Sequence, residues 1–150
     1  MADSKTKTKN QTIGGKITMK LIEVLNALIP LRALTEARFT SFKKSRELAI
    51  LRKKVEFEAD FYGKEEKKIV ETYAKKNEMG EPIILDGGRI QLKDVESKIA
   101  FDKEITNLRA LEISDIEKVK LSESDFADTS KIPTPYELIA LESVIEFLEE

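Results

Sequence analysis

The stretch from residue 77 to 92, NEMGEPIILDGGRIQL, interrupts a chain whose flanking segments carry helical patterns. Large apolar residues alternate with other residues on both sides of a turn; they are Ile83, Leu85, Ile90 and Leu92. Asp86, Gly87 and Gly88 between them tolerate positive φ, as the central residues of a hairpin turn must. DGGR also resembles part of a phosphate-binding loop, but the GKS/T ending and a surrounding βαβ unit are absent. We therefore predict a β-hairpin whose tip, Gly87 and Gly88, is exposed and available for interaction.

A long helical pattern precedes this hairpin, from about residue 36 to 76. Its apolar residues recur at steps of three and four and are Leu48, Leu51, Val55, Ala59, Tyr62, Ile69 and Tyr73. Phe57 and Phe61 widen this stripe. A helix of that length would measure about 60 Å. We expect it to project, or to pack against a second helix or another copy of the chain.

A second helix and further strands are predicted after the hairpin. Asp94 is positioned to cap a helix whose apolar residues are Val95, Ile99, Phe101, Ile105 and Leu108. Alternation resumes in residues 110–121. Because two short strands alone are marginal in water, we expect residues 82–92 and 110–121 to form one three-stranded patch.

The two ends of the chain give weaker patterns. Residues 1–15 are polar and Lys-rich and are predicted to be a disordered tail. A first helix should follow from about Lys16, with Thr18 as its cap, and Pro30 should end or kink it.

The C-terminal segment carries a clear helix start. TPYE is a capping box in which Thr134 is the cap, Pro135 is the first helical residue and Glu137 reaches back to the cap. The apolar face of the predicted closing helix is Leu138, Leu141, Val144, Ile145 and Leu148.

These elements predict a predominantly α, α+β protein. It would consist of a long antiparallel helical hairpin, a small β-hairpin or three-stranded sheet, and a C-terminal closing helix. We expect residues 16–150 to form a single elongated helical domain.

Composition excludes several kinds of chemistry. The chain has no Cys and no His, so disulfides, thiolate nucleophiles, imidazole zinc sites and a Ser-His-Asp triad cannot form. In EFEAD, steps of two separate Glu56, Glu58 and Asp60 around a helix, which disfavours a shared metal. No catalytic residue, cofactor or metal site is predicted. No apolar run approaches the roughly 20 residues that span a bilayer, so we expect no membrane partner.

Charge is distributed unevenly along the chain. Residues 1–54 carry +9, residues 55–109 carry −3 and residues 110–150 carry −8, which gives the overall −2. The basic cluster in the long helix consists of Lys43, Lys44, Arg46, Arg52, Lys53 and Lys54. Three interpretations stay open: phosphate contacts with nucleic acid, head-to-tail packing between copies, or solvated faces without a partner.

The order of these segments resembles a family of small uncharacterised proteins from tailed phages and prophages of Gram-positive bacteria. The resemblance covers roughly residues 17–148. It is carried by a Lys/Glu-rich helix that runs into ETYAKKNEMGE, by Leu108 to Ile113, and by the closing TPYELIALE. It implies a role in virion assembly or in interaction with a host, and it supplies no catalytic or binding residues.

We therefore expect a non-enzymatic interaction protein that binds a protein partner and forms a homo-oligomer. The partner would be a second copy, a phage protein or a host factor such as a defence component. The alternative is a nucleic-acid-associated protein that uses the basic N-terminal region. The candidate interaction residues are Lys43, Lys44, Arg46, Lys53, Lys54, Phe57, Phe61, Gly87 and Gly88. The expected location is the host-cell cytoplasm or the virion.

Overall fold

The computed structural model describes residues 11–13 and 16–149. The helices are α1 (Leu21–Leu34), α2 (Phe42–Tyr73), α3 (Val95–Arg109) and α4 (Pro135–Leu141). The strands are β1 (Gln11–Ile13), β2 (Lys16–Lys20), β3 (Glu112–Ile113), β4 (Val119–Leu121) and β5 (Ile145–Phe147). The predicted class is confirmed, because helices dominate and the strands are few and short.

The described residues divide into two compact units where the sequence predicts a single domain. Unit 2 is Asp60–Leu111, and unit 1 consists of the described residues that precede and follow it in sequence. The long helix α2 contributes its first part to unit 1 and its last part to unit 2. Each unit is described separately below.

Unit 1 contains the main hydrophobic core. Its fully buried large side chains come from both ends of the chain and from α2; they are Met19, Leu21, Val24, Leu31, Leu48, Val55, Ile116, Leu121, Leu141, Val144 and Ile145. Helix α1 packs on α4, and Ser143 Oγ donates to the Glu23 carbonyl at 3.2 Å. The core therefore depends on contacts between residues far apart in sequence.

The N-terminal prediction is wrong where the structure describes that region. Residues 11–13, assigned to a disordered tail, form β1, which pairs antiparallel with β2; the rest of the predicted tail lies outside the described residues. Thr18 lies within β2 and does not cap a helix. The N-cap of α1 is Lys20, whose N–H donates to Glu23 Oε1 at 2.9 Å. Within β2, Thr18 and Met19 are both buried and Lys20 is exposed.

Pro30 does not end the first helix, because α1 continues through it to Leu34. The predicted long helix consequently starts later, at Phe42 instead of about residue 36. Between the helices, Phe39 forms an antiparallel bridge with Phe126, and the two rings lie 5.0 Å apart between centroids. The residues between α1 and α2 were predicted to be helical, but they pair instead with residues distant in sequence.

The predicted three-stranded patch is wrong in its partners. Strand β3 pairs antiparallel with β2, and β4 pairs parallel with β5.

The last helix is also shorter than predicted, because it ends at Leu141 and residues 145–147 form β5. Val144, Ile145 and Phe147 suit a strand, since β-branched and aromatic side chains pack well on a sheet. The capping box that starts α4 is confirmed: Thr134 N–H donates to Glu137 Oε1 at 2.9 Å.

Unit 2 is a helical hairpin closed by a small ladder. The last part of α2 and α3 run antiparallel, since Arg109 Nε donates to Tyr62 Oη at 3.2 Å and Tyr73 Oη donates to Glu104. The cap of α3 is confirmed, with Ser97 N–H donating to Asp94 Oδ1 at 2.7 Å.

The loop between these helices reverses at Asp86–Gly88, as predicted for the hairpin. Ile84 and Ile90 form an antiparallel bridge. The third segment of the patch is not residues 111–121 but residues 74–76, which follow α2 because the long helix ends at Tyr73 and not at 76. Ile83 N–H donates to the Lys75 carbonyl at 3.0 Å, and Lys75 N–H donates to the Gln91 carbonyl at 2.8 Å. The backbone just after α2 therefore bonds to both flanks of the hairpin.

Candidate interaction surfaces

A lysine-lined groove on unit 1 gathers part of the predicted basic cluster. The groove has a volume of about 470 Å³ and is lined by Lys43, Lys44, Glu47, Ile50, Leu51, Lys54, Glu117, Lys118, Val119 and Lys120. Of the predicted residues it includes Lys43, Lys44 and Lys54. Arg46 and Lys53 are exposed on α2 but do not line it. We call this feature the lysine groove.

Two of its lysines are held by backbone carbonyls. Lys44 Nζ donates to the Lys120 carbonyl at 2.6 Å and lies 3.4 Å from Glu47 Oε1. Lys54 Nζ donates to the Asp115 carbonyl at 3.0 Å. Both bonds connect α2 to the segment around β4, so they fix one wall of the groove against the other.

The other three lysines of the groove have no carboxylate partner among the described residues. Lys43, Lys118 and Lys120 form no ion pair there. Five lysines and two glutamates line the groove, which gives it a net charge of +3. It therefore has the charge to attract an anion and three ammonium groups available to contact one.

The aromatic candidates on α2 are exposed to different extents. Phe57, in unit 1, is 69% exposed, whereas Phe61, in unit 2, is 37% exposed. The stripe that faces the core of unit 1 is Leu48, Leu51, Val55 and Glu58. Phe57 therefore lies beside the packed face and not within it.

The glycine tip behaves as the sequence predicts. Gly87 and Gly88 have φ values of +84° and +79°, and both are exposed. A Cβ at either position would meet nothing within 4 Å. Glycine is therefore required there by backbone conformation, and crowding does not contribute.

An apolar groove on unit 2 has a volume of about 520 Å³. Its lining residues are Leu85, Arg89, Ile90, Gln91, Leu92, Asp94, Val95, Lys98, Phe101 and Asp102. Val95 is 76% exposed, and Ile99, one helical turn further along α3, is 64% exposed. These two side chains share a face of α3, because residues four apart are neighbours on a helix.

Glu58 occupies a core position of α2 and is only 8% exposed. Burial raises the pKa of this carboxyl, and the negative charge of Asp115 raises it further. No cation bonds to Glu58 among the described residues. Sequence periodicity missed this residue, because a charged side chain in an apolar stripe is normally assigned to the solvent side.

A charged network on the surface of unit 1 joins α1 to α2. Arg32 donates to both carboxylate oxygens of Glu56, at 2.8 and 2.7 Å. Arg52 Nη1 donates to Thr35 Oγ1 at 2.8 Å. The hydrogen bonds from Arg32 lower the pKa of Glu56 to about 2, with Arg52 contributing. Arg52, counted above in the basic cluster, is thus engaged within the protein and belongs to the scaffold.

The sequence did not identify Lys118 and Lys120 as part of any site. Their only signal is the alternation in EKVKL, where Val119 and Leu121 are buried and Lys120 is exposed. That pattern predicts which side chains leave the core. It does not reveal that β4 lies beside the first turns of α2.

The described residues offer neither a metal site nor a membrane-spanning helix. They contain no group of three or more acidic side chains arranged to hold a metal ion. None of the described helices combines the length and apolar character needed to cross a membrane. Comparison with protein-family models, curated proteins and solved structures finds no match to this chain. The phage-family resemblance accordingly stays a prediction.

Proposed function

We propose that this chain is a non-enzymatic interaction protein that binds another protein through the apolar surface of unit 2. The observation that carries this proposal is the imbalance between buried and exposed apolar side chains in that unit. Unit 2 buries four hydrophobic residues, Ile69, Ala74, Ile105 and Leu108. It exposes seven large ones: Phe61, Met79, Ile84, Leu85, Val95, Ile99 and Leu111.

Covering one exposed apolar side chain contributes little binding free energy, whereas covering a groove bordered by several of them favours association. Burying apolar surface contributes roughly 25 cal/mol per Å². Apolar patches with a polar rim are typical of protein interaction sites. In unit 2, Leu85, Val95 and Phe101 line the groove together with the charged residues Arg89 and Lys98. Protein interfaces combine apolar and charged residues in this way.

The partner we propose is a second copy of the chain. Most soluble oligomers are homo-oligomers, and a second copy of the chain is present wherever the protein is made. The unit 2 groove carries both signs of charge, with Asp94 and Asp102 beside Arg89 and Lys98, so two copies need not repel one another there. The resemblance to phage and prophage proteins supports a wider role in virion assembly or against a host factor.

The test is light scattering coupled to size-exclusion chromatography between about 5 and 500 µM protein. We expect the wild-type mass to rise above 17.1 kDa with concentration. The double variant Val95→Gln/Ile99→Gln should remain monomeric, because it replaces two exposed apolar groups with neutral amides.

The matched control is Ile29→Gln/Ile139→Gln in unit 1. Those side chains are 69% and 64% exposed on α1 and α4, so the control makes the same chemical change elsewhere. It should associate like the wild type. A wild-type chain that stays monomeric throughout contradicts self-association, and loss of association only in the control places the interface on unit 1.

A further inference from the structure

We infer that the lysine groove of unit 1 binds the phosphate backbone of a nucleic acid. This inference is independent of the proposed protein-binding function, since it concerns other residues and another unit. It also revises the nucleic-acid interpretation of the sequence, in which the cations were Lys43, Lys44, Arg46, Lys53 and Lys54 with the N-terminal tail. Lys118 and Lys120 replace Arg46 and Lys53 as members of the site.

The groove is fixed by contacts that leave its charge available. The Lys44 and Lys54 ammonium groups bond to the Lys120 and Asp115 carbonyls, at 2.6 and 3.0 Å. The carbonyl acceptors are neutral and leave both ammonium groups charged, although Lys44 is also paired with Glu47 Oε1 at 3.4 Å. The floor contains the apolar residues Ile50, Leu51 and Val119, of which Leu51 and Val119 are buried in the core.

The start of α2 adds to the positive field. Lys43 and Lys44 belong to the first turn of this helix, and Lys44 N–H donates to Ser41 Oγ at 3.1 Å. A helix carries about half a positive charge at its N-terminus. That contribution acts beside Lys43, Lys118 and Lys120, which form no ion pair among the described residues.

The residue types favour phosphate over an acidic protein surface. The groove contains lysine but no arginine and no aromatic side chain. Protein interfaces are enriched in arginine and aromatics and depleted in lysine, whereas lysine is a common point-charge partner of phosphate. Without an aromatic side chain for base stacking, the groove offers contacts to the backbone and none that would read the sequence.

The experiment measures binding of a fluorescent 20-nucleotide single strand by polarisation, at several salt concentrations between 50 and 200 mM. Three lysine contacts predict a slope of log Kd against log salt of about 2, so Kd should weaken about twentyfold over that range. Lys118→Gln/Lys120→Gln should reduce the slope to about 0.7 and the weakening to about threefold.

The matched control is Arg46→Gln/Lys53→Gln, which removes the same two charges from α2 outside the groove. It should keep the wild-type slope. Equal loss in both variants would overturn the inference, since it would show dependence on net charge alone. Tighter binding of a poly-glutamate peptide than of the oligonucleotide, or binding of inorganic polyphosphate without the oligonucleotide, would also overturn it, as would a wild-type chain that does not bind at 50 mM salt.

Discussion

Unit 1 and unit 2 differ in the contacts that stabilise each of them internally. Unit 1 assembles α1, α2, α4 and the strands around one core of side chains drawn from both ends of the sequence. Unit 2 is continuous in sequence, from residue 60 to 111, and its buried hydrophobic residues number only four. The difference indicates that unit 1 has the larger hydrophobic core. Our proposal is that another protein covers the exposed apolar surface of unit 2.

Truncating one apolar residue in each unit tests this difference most strongly. Leu121→Ala in unit 1 removes a fully buried side chain and should cost about 3 kcal/mol of unfolding free energy, measured by urea denaturation. Ile99→Ala in unit 2 removes an exposed one and should change the value by less than about 0.5 kcal/mol in dilute monomer. Equal losses would show that the two units do not differ as described.

A pair of glycines within unit 2 tests the local backbone there. Gly87 has a φ of +84°, so Gly87→Ala should destabilise the protein by about 1 kcal/mol. Gly63 lies inside α2 with nothing within 4 Å of an added Cβ, so Gly63→Ala should stabilise it by about 1 kcal/mol. The same thermal or urea unfolding measurement serves both variants. Stabilisation by Gly87→Ala would contradict the left-handed backbone assigned to the reversal.

Glu58 tests the cost of a charge at a core position of unit 1. Its pKa is raised above the usual 4.5 by burial and by Asp115. In the unfolded chain the carboxyl returns to its ordinary pKa, so stability falls as pH rises from about 4.5 through the raised value. Glu58→Gln should therefore increase the unfolding free energy at pH 7 by about 1 kcal/mol, and give no gain at pH 4.

The control for this change is Glu71→Gln, at an exposed position of α2. It should leave stability unchanged within about 0.5 kcal/mol at both pH values. A gain at pH 7 that persists at pH 4 for Glu58→Gln would argue against a charge effect and for a packing effect of the amide.

The two units also differ in how far their structure follows from the sequence. In unit 2 the Asp94 cap and the reversal at Gly87 were predictable, because both depend on residues close in sequence. In unit 1 the Thr134 capping box was equally local and was predicted correctly. These signals are reliable because each hydrogen bond or backbone conformation is set within about four residues.

The remaining features of unit 1 depend on partners that periodicity does not identify. Alternation in residues 119–121 predicts a strand, but not that it pairs in parallel with residues 145–147. Pro30 predicts a break, yet α1 continues through it, with Leu31 and Leu34 buried in the core beyond it. The lysine groove was only half predictable for the same reason, since it needs β4 to lie beside α2.

Hydrogen–deuterium exchange at about 5 and 500 µM protein tests the central claim most directly, because it locates the surface that another copy covers. The proposal predicts that amides of α3 and of residues 83–92 in unit 2 exchange more slowly at the higher concentration. Amides of α1 and β4 in unit 1 should exchange at the same rate at both concentrations. Identical exchange in unit 2 at the two concentrations, or slowing confined to unit 1, would contradict the assignment of unit 2 as the protein-binding surface.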